Sequence, residues 1–475
     1  MANKILDPLS RQNPWRHGAG WESSDPHLSE WKASPAPWKP DLLGQFVLDR
    51  DLVFTLRGPR QVGKTTLVKL LIRRALKEGA VPGRMFYLDC EAAGIDRHGR
   101  LQRVLDAFLD QSAGVRPRGR TLIFVDEVTS VRGWATAVKV LADTGRLRGV
   151  TIVATGSHAA DIKRGVESMP GRRGASSGLD KVLLPMSFRE HVQVLHGDVF
   201  GGLPRWADLR DLRSVCDAAA AVKSAPELER AFSIYLLTGG YPRPVGAHKR
   251  DGMVPAHVYE VYQAAFLGVV RRLGHRESYF RELFSHWLRV HPNPLDWRDV
   301  SRETDIGKHD TVREYSEDLE LAYFWDIVFK SHSLGNPRPA FRGSKKICIK
   351  DPFCFHSFRS WALGYSKPWD ASLEFLRDPA ATGGLVESVV GSHLKRIYGP
   401  FLHYWRNAGE VDFMGFKESR LAAAVEVKYG THLPQESKAA LADIGGGILV
   451  SKSDNYWDST YNVAVVPAAL FLALI

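Results

Sequence analysis

The segment GPRQVGKTT, residues 58–66, restricts the fold of this chain more than any other feature of the sequence. It fits the pattern G-x-x-x-x-G-K-[ST] from Gly58 to Thr65. The apolar segment LVFTLRG precedes it, and LVKLLIRRALK, with apolar residues at helical spacing, follows it. A strand, a glycine-rich turn and a helix are the setting in which backbone N–H groups and a helix N-terminus surround a phosphate. The segment therefore predicts a phosphate-binding loop in an α/β fold.

The loop supplies the residues that are predicted to bind ATP. They are Gly58, Pro59, Arg60, Gln61, Val62, Gly63, Lys64, Thr65 and Thr66. Lys64 is expected to reach the β- and γ-phosphates, and the Thr65 hydroxyl is expected to ligate Mg²⁺. ATP and Mg²⁺ are thus the predicted cofactors.

Hydrolysis requires acidic residues near this loop, and the segment TLIFVDEVT, residues 121–129, provides them. Its apolar run predicts a buried parallel strand that ends at Asp126 and Glu127, where open α/β sheets bind their ligands. Asp126 is expected to hold Mg²⁺ through water, and Glu127 is expected to orient and activate the attacking water. A further strand, VTIVATGSHA (150–159), ends near Ser157. Ser157 either contacts the γ-phosphate or the attacking water, or it caps the following helix.

The composition of the 475-residue chain suggests a soluble protein of about three domains with an acidic partner. The net charge is +11 and the pI is about 9.4, which makes nucleic acid the first candidate. The four cysteines contain no C-x-x-C pair, which suggests a reducing cytoplasm. The N-terminus has no apolar signal core, and the C-terminal run NVAVVPAALFLALI is too short to span a bilayer. We therefore expect no membrane contact, and a last strand followed by a short docked helix.

Several segments together resemble those of one known family. The segments GPRQVGKTT, IFVDE, TGS, LPMSFREH and GGYP resemble the prokaryotic AAA-type ATPases related to the STAND group. The resemblance covers nearly everything after residue 45 and implies an ATPase core, a winged-helix domain and a C-terminal nuclease-like domain. In that family the Gly-Gly-x-Pro turn lies near the adenine, which implies a nucleotide contact by Gly240, Tyr241 and Pro242.

The same resemblance implies a homo-oligomer with an arginine finger that acts on the nucleotide of a neighbouring subunit. The segment ESMPGRRG makes Arg172 or Arg173 the candidate, with methionine in place of the usual leucine before Pro-Gly-Arg. Such a finger is worth roughly 10³- to 10⁵-fold in rate. The alternative is a solvated basic loop.

Three C-terminal segments, GLVESVVGSHLKR, HYWRNAGEVDFMGF and AAAVEVKYG, resemble the core of the PD-(D/E)XK nucleases. The matching residues are Glu387, Asp412, Glu426 and Lys428. Glu426 and Lys428 are two apart on a predicted strand and share a face, and a hairpin through the NAG turn brings Asp412 beside Glu426. The resemblance implies a Mg²⁺ site at Asp412 and Glu426 for cleavage of DNA. A non-cleaving platform for binding a partner is the alternative.

A helix-turn-helix followed by a strand-like wing is predicted before this domain. The spacing is that of Trp297, Val300, Ile306, Val312, Tyr315, Leu319 and Leu321. Lys308, His309 and Arg313 lie around the second helix and are predicted to contact DNA in the major groove. The alternative is that the winged helix only packs against the nucleotide domain.

The predicted architecture is an α/β protein with a doubly wound P-loop ATPase core. Its parts are an extended N-terminal arm (1–45), the AAA-type core (46–204), a helical lid (205–275), a winged helix (276–350) and the nuclease-like α/β domain (351–475). The arm packs either on its own ATPase domain or on a neighbour. The predicted function is a cytoplasmic, Mg²⁺-dependent ATPase that acts on DNA as a switch or motor. The alternative is a signalling or defence ATPase that acts on a protein partner.

Overall fold

The computed structural model describes residues 5–18, 20–206, 208–222, 225–334, 337–406, 409–430 and 432–475, without the side chains of Ala159 and Ala160. The chain forms two units, Met1–Leu184 and Pro185–Ile475. Each unit has its own sheet and its own hydrophobic core. The predicted NAG turn lies largely outside the described residues.

The first unit is built on a parallel sheet. Its strands are β1 (Val53–Arg57), β2 (Met85–Asp89), β3 (Thr121–Asp126), β4 (Val150–Gly156) and β5 (Asp180–Val182). Its helices are α1 (Trp21–Ser24), α2 (Pro26–Ala33), α3 (Lys64–Lys77), α4 (His98–Ala113), α5 (Trp134–Asp143) and α6 (Ala159–Glu167). The strands pair in the order β2-β3-β4-β1-β5, and all pairs are parallel. The predicted α/β fold with a parallel sheet is thus confirmed.

The N-terminal arm packs on the sheet of its own unit. It is not extended as predicted, because residues 5–45 contain α1, α2 and the short 3-10 helices Asp7–Gln12, Pro14–His17 and Asp41–Gln45. The Asn13 side chain donates to the Tyr87 carbonyl at 2.9 Å and accepts from the Tyr87 N–H at 2.7 Å. Because β2 is the edge strand, this amide takes the place of a neighbouring strand and covers its open edge.

A buried ion pair ties the arm to the helix that follows the phosphate loop. Lys69 Nζ on α3 lies 3.1 Å from Asp25 Oδ2, and both side chains are almost fully buried. The same Nζ lies 3.6 Å from the centroid of the Tyr87 ring. A buried charge is tolerated when it is paired, and here the pair also gains a cation–π contact. The arm is therefore an integral part of the first unit.

The second unit combines many helices with one mixed sheet. Its helices are α7 (Phe188–Leu195), α8 (Gly197–Phe200), α9 (Leu212–Ala220), α10 (Ala225–Thr238), α11 (Pro242–Asp251), α12 (Ala256–Arg272), α13 (Glu277–Val290), α14 (Trp297–Glu303), α15 (His309–Leu321), α16 (Pro352–Leu363), α17 (Pro368–Phe375), α18 (Pro379–Tyr398), α19 (Gln435–Ala442) and α20 (Ala468–Leu474). Its strands are β6 (Trp325–Lys330), β7 (Lys345–Ile349), β8 (Leu402–Arg406), β9 (Glu410–Lys417), β10 (Arg420–Lys428), β11 (Gly447–Ser451), β12 (Tyr456–Asp458) and β13 (Val463–Pro467). The strand order is β12-β13-β11-β10-β9-β8-β6-β7.

The predicted helix-turn-helix and its wing are continuous with the C-terminal sheet. Helices α14 and α15 have the predicted apolar core, except that Leu321 is 39% exposed. Strands β6 and β7 form an antiparallel hairpin, and β6 also pairs in parallel with β8. One hydrophobic cluster runs from Phe188 to Leu474. The segments predicted as a lid, a winged helix and a C-terminal domain thus lie in one compact unit, and their boundaries as separate domains stay a prediction.

The chain ends as predicted, in a strand followed by a short docked helix. Every residue of β13 and α20 is buried. In the described part of the chain, no helix combines the length and the apolar character needed to cross a membrane. The four cysteines, Cys90, Cys216, Cys348 and Cys354, are all buried and unpaired.

Candidate functional site

The phosphate-binding loop depends on two glycines whose backbone conformation excludes most side chains. Gly58 has a φ of +155°, and a Cβ at this position would lie 2.2 Å from the carbonyl oxygen of Leu183. Gly63 has a φ of +99° and immediately precedes helix α3, which begins at Lys64. The first N–H groups of α3 have no partners within the helix, and they point back towards the loop. The loop therefore offers backbone N–H donors to an anion.

Lys64 is buried at the start of helix α3. Its Nζ donates hydrogen bonds to the carbonyl oxygens of Gly58 at 3.0 Å and Pro59 at 2.9 Å. Burial lowers the pKa of Lys64 below its ordinary value, and the carboxylates of Glu127 and Asp126 offset only part of this effect. A lysine held inside a loop of N–H donors is the cation that a bound triphosphate requires.

The Asp126 carboxylate at the end of β3 accepts hydrogen bonds from three hydroxyl groups. Oδ2 accepts from Thr65 Oγ1 at 2.7 Å and from the Tyr87 hydroxyl at 2.9 Å, and Oδ1 accepts from Thr155. The structure thus brings together Thr65 and Asp126, the two residues predicted to hold Mg²⁺. A hydroxyl and a carboxylate are oxygen ligands, so this donor set fits Mg²⁺.

Tyr87 is a residue of this site that the sequence did not predict. It lies on β2, next to β3 in the sheet, and its side chain is buried. Burial, followed by the negative charges of Asp126 and Asp89, raises the pKa of Tyr87. Tyr87 therefore stays a neutral donor to Asp126. The signal in the sequence is a residue with a hydroxyl group in the apolar run MFYL of this strand.

Glu127 lies directly beside Asp126, with its side chain held by Ser157. The Ser157 hydroxyl donates to Glu127 Oε1 at 2.6 Å, and the Ser157 N–H donates to Oε2 at 3.3 Å. The Glu127 backbone has a φ of +49°, which is rare for a residue with a side chain. The alternative prediction that Ser157 caps helix α6 is wrong, because His158 occupies the N-cap position. Ser157 instead orients the Glu127 carboxylate.

The two candidate finger arginines have different surroundings. Arg173 is buried, and its guanidinium donates to Asp180 at 3.0 and 2.9 Å and to the Val53 carbonyl at 3.2 Å. Arg172 has a side chain that is 34% exposed and donates to Asp143 at 2.6 Å. Because the donors of Arg173 are used inside its own unit, its surroundings argue against the predicted role on a neighbouring subunit, which stays a prediction. Arg172 remains the candidate.

The Gly-Gly-x-Pro turn is fixed by contacts within the second unit. The Asp351 carboxylate accepts a hydrogen bond from the Gly240 N–H at 2.7 Å. Tyr241 is buried, and its ring meets Tyr262 edge-on with 4.8 Å between ring centroids. Pro242 begins helix α11. The contact of Gly240, Tyr241 and Pro242 with adenine stays a prediction.

The residues predicted to contact DNA lie on an acidic helix. Lys308, His309 and Arg313 are exposed, as a DNA contact requires. Helix α15 nevertheless contains five acidic residues and one arginine. Arg313 lies 3.5 Å from Asp310 and 3.9 Å from Glu317. Since these carboxylates would repel phosphates, the surroundings of Arg313 argue against the predicted role of this helix.

The residues of the predicted nuclease-like site lie together in the second unit. Asp412 is on β9, and its N–H donates to Glu426 Oε2 at 3.0 Å. Asp412 Oδ2 accepts from the Val427 N–H at 2.8 Å. Lys428 Nζ lies 2.7 Å from Glu426 Oε1 on the same strand, β10. Glu387 on α18 joins them through a lysine that the sequence did not predict.

Lys346 on β7 lies at the centre of this cluster. Its Nζ is 2.8 Å from Glu387 Oε1 and 3.0 Å from Glu410 Oε1, and it forms an ion pair with Asp412. Burial lowers the pKa of Lys346, but the three carboxylates together raise it well above its ordinary value. Lys346 is therefore an ammonium ion inside the carboxylate cluster. No motif marks Lys346, because β7 is far in sequence from β9 and β10, the strands that carry Asp412 and Glu426.

The pKa values of the carboxylates in the cluster are shifted in different directions. Burial, followed by the negative charge of Asp412, raises the pKa of both Glu387 and Glu426. Burial would also raise the pKa of Asp412, but the ammonium groups of Lys346 and Lys428 bring it below its ordinary value. Asp412 therefore carries the most firmly held negative charge.

A divalent cation does not fit this cluster as it is arranged. The oxygens of Asp412 and Glu426 are engaged with Lys346, Lys428 and backbone N–H groups. Across the residues that the structure describes, no group of three or more His, Cys, Asp or Glu side chains is arranged to hold a metal ion. The arrangement thus disagrees with the prediction of Mg²⁺ at Asp412 and Glu426.

Comparison with known proteins identifies one domain. Residues 50–192 match the family model described as an AAA domain, which includes every strand of the first unit. This part of the chain is therefore similar to an AAA domain. No curated protein matches the chain.

Solved structures similar to the chain share little sequence with it. The Orc1 protein of Aeropyrum pernix in complex with DNA is 14% identical, over 70% of this chain and 96% of that one, with a TM-score of 0.29. A RuvB protein of Thermotoga maritima is 16% identical, over 69% of this chain and 92% of that one, with a TM-score of 0.26. Cdc6p of Pyrobaculum aerophilum is 14% identical, over 68% of this chain and 91% of that one, with a TM-score of 0.25.

Proposed function

We propose that this chain hydrolyses ATP in a Mg²⁺-dependent reaction at the phosphate loop of the first unit. The observation that carries the proposal is a pair of acid–hydroxyl contacts beside the loop. Asp126 accepts from Thr65 at 2.7 Å, and the neighbouring Glu127 accepts from Ser157 at 2.6 Å. Asp126 thus contacts Thr65, the predicted Mg²⁺ ligand of the loop. Glu127 is oriented by a different residue, Ser157. The AAA domain match supports the same activity.

Each residue then has a distinct task. Thr65 and Asp126 would hold Mg²⁺, which would neutralise negative charge on the triphosphate. Lys64 leaves the carbonyl oxygens of its own loop and donates to the same phosphates. Glu127 accepts a proton from the attacking water, with its carboxylate held in position by Ser157. The rare backbone conformation of Glu127 is of the kind that functional residues retain.

The active ATPase is a homo-oligomer, and Arg172 completes the site of a neighbouring subunit. Its side chain is partly exposed and is held by one carboxylate, that of Asp143. An arginine in this setting can exchange Asp143 for the phosphates of a neighbour, because both are anions that accept from a guanidinium.

The partner of the ATPase is nucleic acid, bound through the β6–β7 hairpin rather than through helix α15. The lysines of β7 are buried, so the surface offered to nucleic acid is the loop between the two strands, whose residues 337–344 contain two arginines and no Asp or Glu. Arg338 and Arg342 are exposed in the loop of this hairpin, and the Phe341 ring between them is 67% exposed. Arginine binds phosphates, and an exposed aromatic ring stacks on bases. The net charge of +11 supports the same partner.

Two double variants distinguish the hairpin from the helix. Arg338→Ala with Arg342→Ala is expected to weaken DNA binding and to reduce its salt slope by about 2, because each lost phosphate contact reduces the slope by about 1. Lys308→Ala with Arg313→Ala removes the same charge from α15 and is expected to leave binding nearly unchanged. Fluorescence anisotropy with labelled DNA over a range of salt concentrations measures both. Equal losses in the two variants would contradict the placement.

A second candidate function is an ATPase that acts on a protein and uses the C-terminal segment as a non-cleaving platform. The acidic surface of α15 and the lysine inside the carboxylate cluster favour it. ATP hydrolysis with single-stranded, double-stranded and branched DNA separates the candidates. We expect at least one DNA to stimulate hydrolysis, and an unchanged rate with all three would favour the protein-directed function.

A further inference from the structure

We propose that Lys346 is the permanent cation of the C-terminal carboxylate cluster, so that this cluster takes no divalent metal and the domain does not cut phosphodiesters. The cluster is defined here as Glu387, Glu410, Asp412, Glu426 and the two lysines Lys346 and Lys428. The inference concerns a site that the proposed ATPase does not use.

The ammonium of Lys346 has three N–H donors, and three carboxylates surround it. Glu387 Oε1 lies at 2.8 Å, Glu410 Oε1 at 3.0 Å, and Asp412 is in direct contact. The side chains of Lys346 and Asp412 are each only 4% exposed. An ammonium that is enclosed by anions and shielded from water neutralises the carboxylate charge that a metal ion would otherwise neutralise, but it offers no open coordination position for a water or a phosphate.

The backbone around Lys346 holds the lysine in this place. A Cβ on Gly391 of α18 would lie 2.5 Å from Cys348 Sγ, so β7 approaches this helix as closely as a glycine allows. The Ile349 N–H also donates to Ser388 Oγ on α18 at 2.7 Å. Strand β7, which carries Lys346, is therefore fastened to α18, which carries Glu387. The ammonium and its first carboxylate are positioned by two packed elements rather than by a flexible loop.

The remaining ligands that a metal would need are also engaged. Glu426 is held by Lys428 Nζ at 2.7 Å and by the Asp412 N–H at 3.0 Å. Asp412 uses its second oxygen to accept from the Val427 N–H at 2.8 Å. A divalent cation entering the cluster would have to displace Lys346 and would leave a buried ammonium beside a second positive charge. The four carboxylates are thus compensated by two lysines and by backbone donors without a metal.

Binding of Mn²⁺ to the nucleotide-free full-length chain, measured by electron paramagnetic resonance, tests the proposal. The wild type and Asp412→Asn are expected to give the same titration, because the cluster takes up no metal. Lys346→Met, which keeps the length of the side chain and removes its charge, is expected to gain about one Mn²⁺ per chain. Lys346→Met combined with Asp412→Asn is expected to lose that gain.

Lys345→Met is the matched control. Lys345 precedes Lys346 on β7 and is also buried, but its Nζ lies over the Trp297 ring at 4.7 Å from the centroid. This variant is expected to gain no Mn²⁺. The proposal is overturned if the wild type binds a Mn²⁺ that Asp412→Asn abolishes, or if folded Lys346→Met gains none. If Lys346→Met does not fold, the Mn²⁺ titrations of the wild type and Asp412→Asn still test whether the cluster binds a metal.

Discussion

Glu127→Gln is expected to bind ATP with the affinity of the wild type and to hydrolyse it about 10²- to 10⁴-fold more slowly, the usual contribution of a positioned general base. The amide can still hold the attacking water, but it cannot accept a proton from it. The phosphate loop, Lys64 and the Thr65–Asp126 pair are unchanged by the substitution. Binding of a fluorescent ATP analogue and steady-state release of phosphate measure the two properties separately.

The matched control for this variant is Glu78→Gln. Glu78 follows helix α3, and its side chain is 63% exposed and far less constrained than that of Glu127. This control is expected to hydrolyse ATP at the wild-type rate. Ser157→Ala leaves the Glu127 carboxylate without its orienting hydroxyl, so its rate is expected to lie between those of Glu127→Gln and the wild type. Wild-type turnover by Glu127→Gln would show that another residue is the base.

Arg172→Ala is expected to lower ATP hydrolysis by about 10³- to 10⁵-fold, the range for an arginine that stabilises charge in phosphoryl transfer. The proposal places this arginine at the site of a neighbouring subunit, so hydrolysis per wild-type chain should rise with protein concentration. A mixture of Arg172→Ala and Lys64→Ala should regain part of the activity. In that mixture the Lys64→Ala subunit supplies Arg172 to an intact nucleotide site of its partner.

Arg164→Ala is the control for the finger. Arg164 lies on α6, its side chain is 71% exposed, and it pairs with Asp161 at 2.6 Å. Its removal is expected to leave hydrolysis unchanged. Turnover that does not depend on concentration, from a chain shown to be monomeric by light scattering, would remove Arg172 from the mechanism.

The parts of the nucleotide site that could be predicted are those encoded over short distances. The phosphate loop and the strand ending at Asp126 and Glu127 are local patterns of glycine, charge and apolar residues, and the structure places Thr65 beside Asp126. Tyr87 and Asn13 escaped prediction because their roles depend on which strands are neighbours and which strand forms the edge. The contact of Arg173 with Asp180 escaped prediction because Asp180 is not part of any motif.

In the second unit, too, the contacts that depend on which strands are neighbours could not be predicted from the sequence. The spacing of Glu426 and Lys428 predicted a shared face, and the hairpin of β8 and β9 was predicted as well. The order of strands across the sheet was not predicted, because the sequence of a hairpin does not reveal which other strand pairs with the hairpin. Pairing of β6 with β8 joins the wing to the C-terminal sheet and brings Lys346 into the carboxylate cluster. Lys346 therefore escaped prediction, because its contact with the cluster depends on this pairing of strands.

Release of phosphate from ATP by the purified wild type and by Lys64→Ala, with Mg²⁺ and with excess EDTA, tests the central claim most directly. Lys64→Ala removes the buried ammonium that donates to the loop carbonyls at 3.0 and 2.9 Å, and with it the main positive charge for the triphosphate. We predict Mg²⁺-dependent release by the wild type, background release by Lys64→Ala, and no binding of ATP by that variant. Equal release by the two proteins, or release by the wild type that persists in EDTA, would contradict the assignment of this loop as an ATP-hydrolysing site.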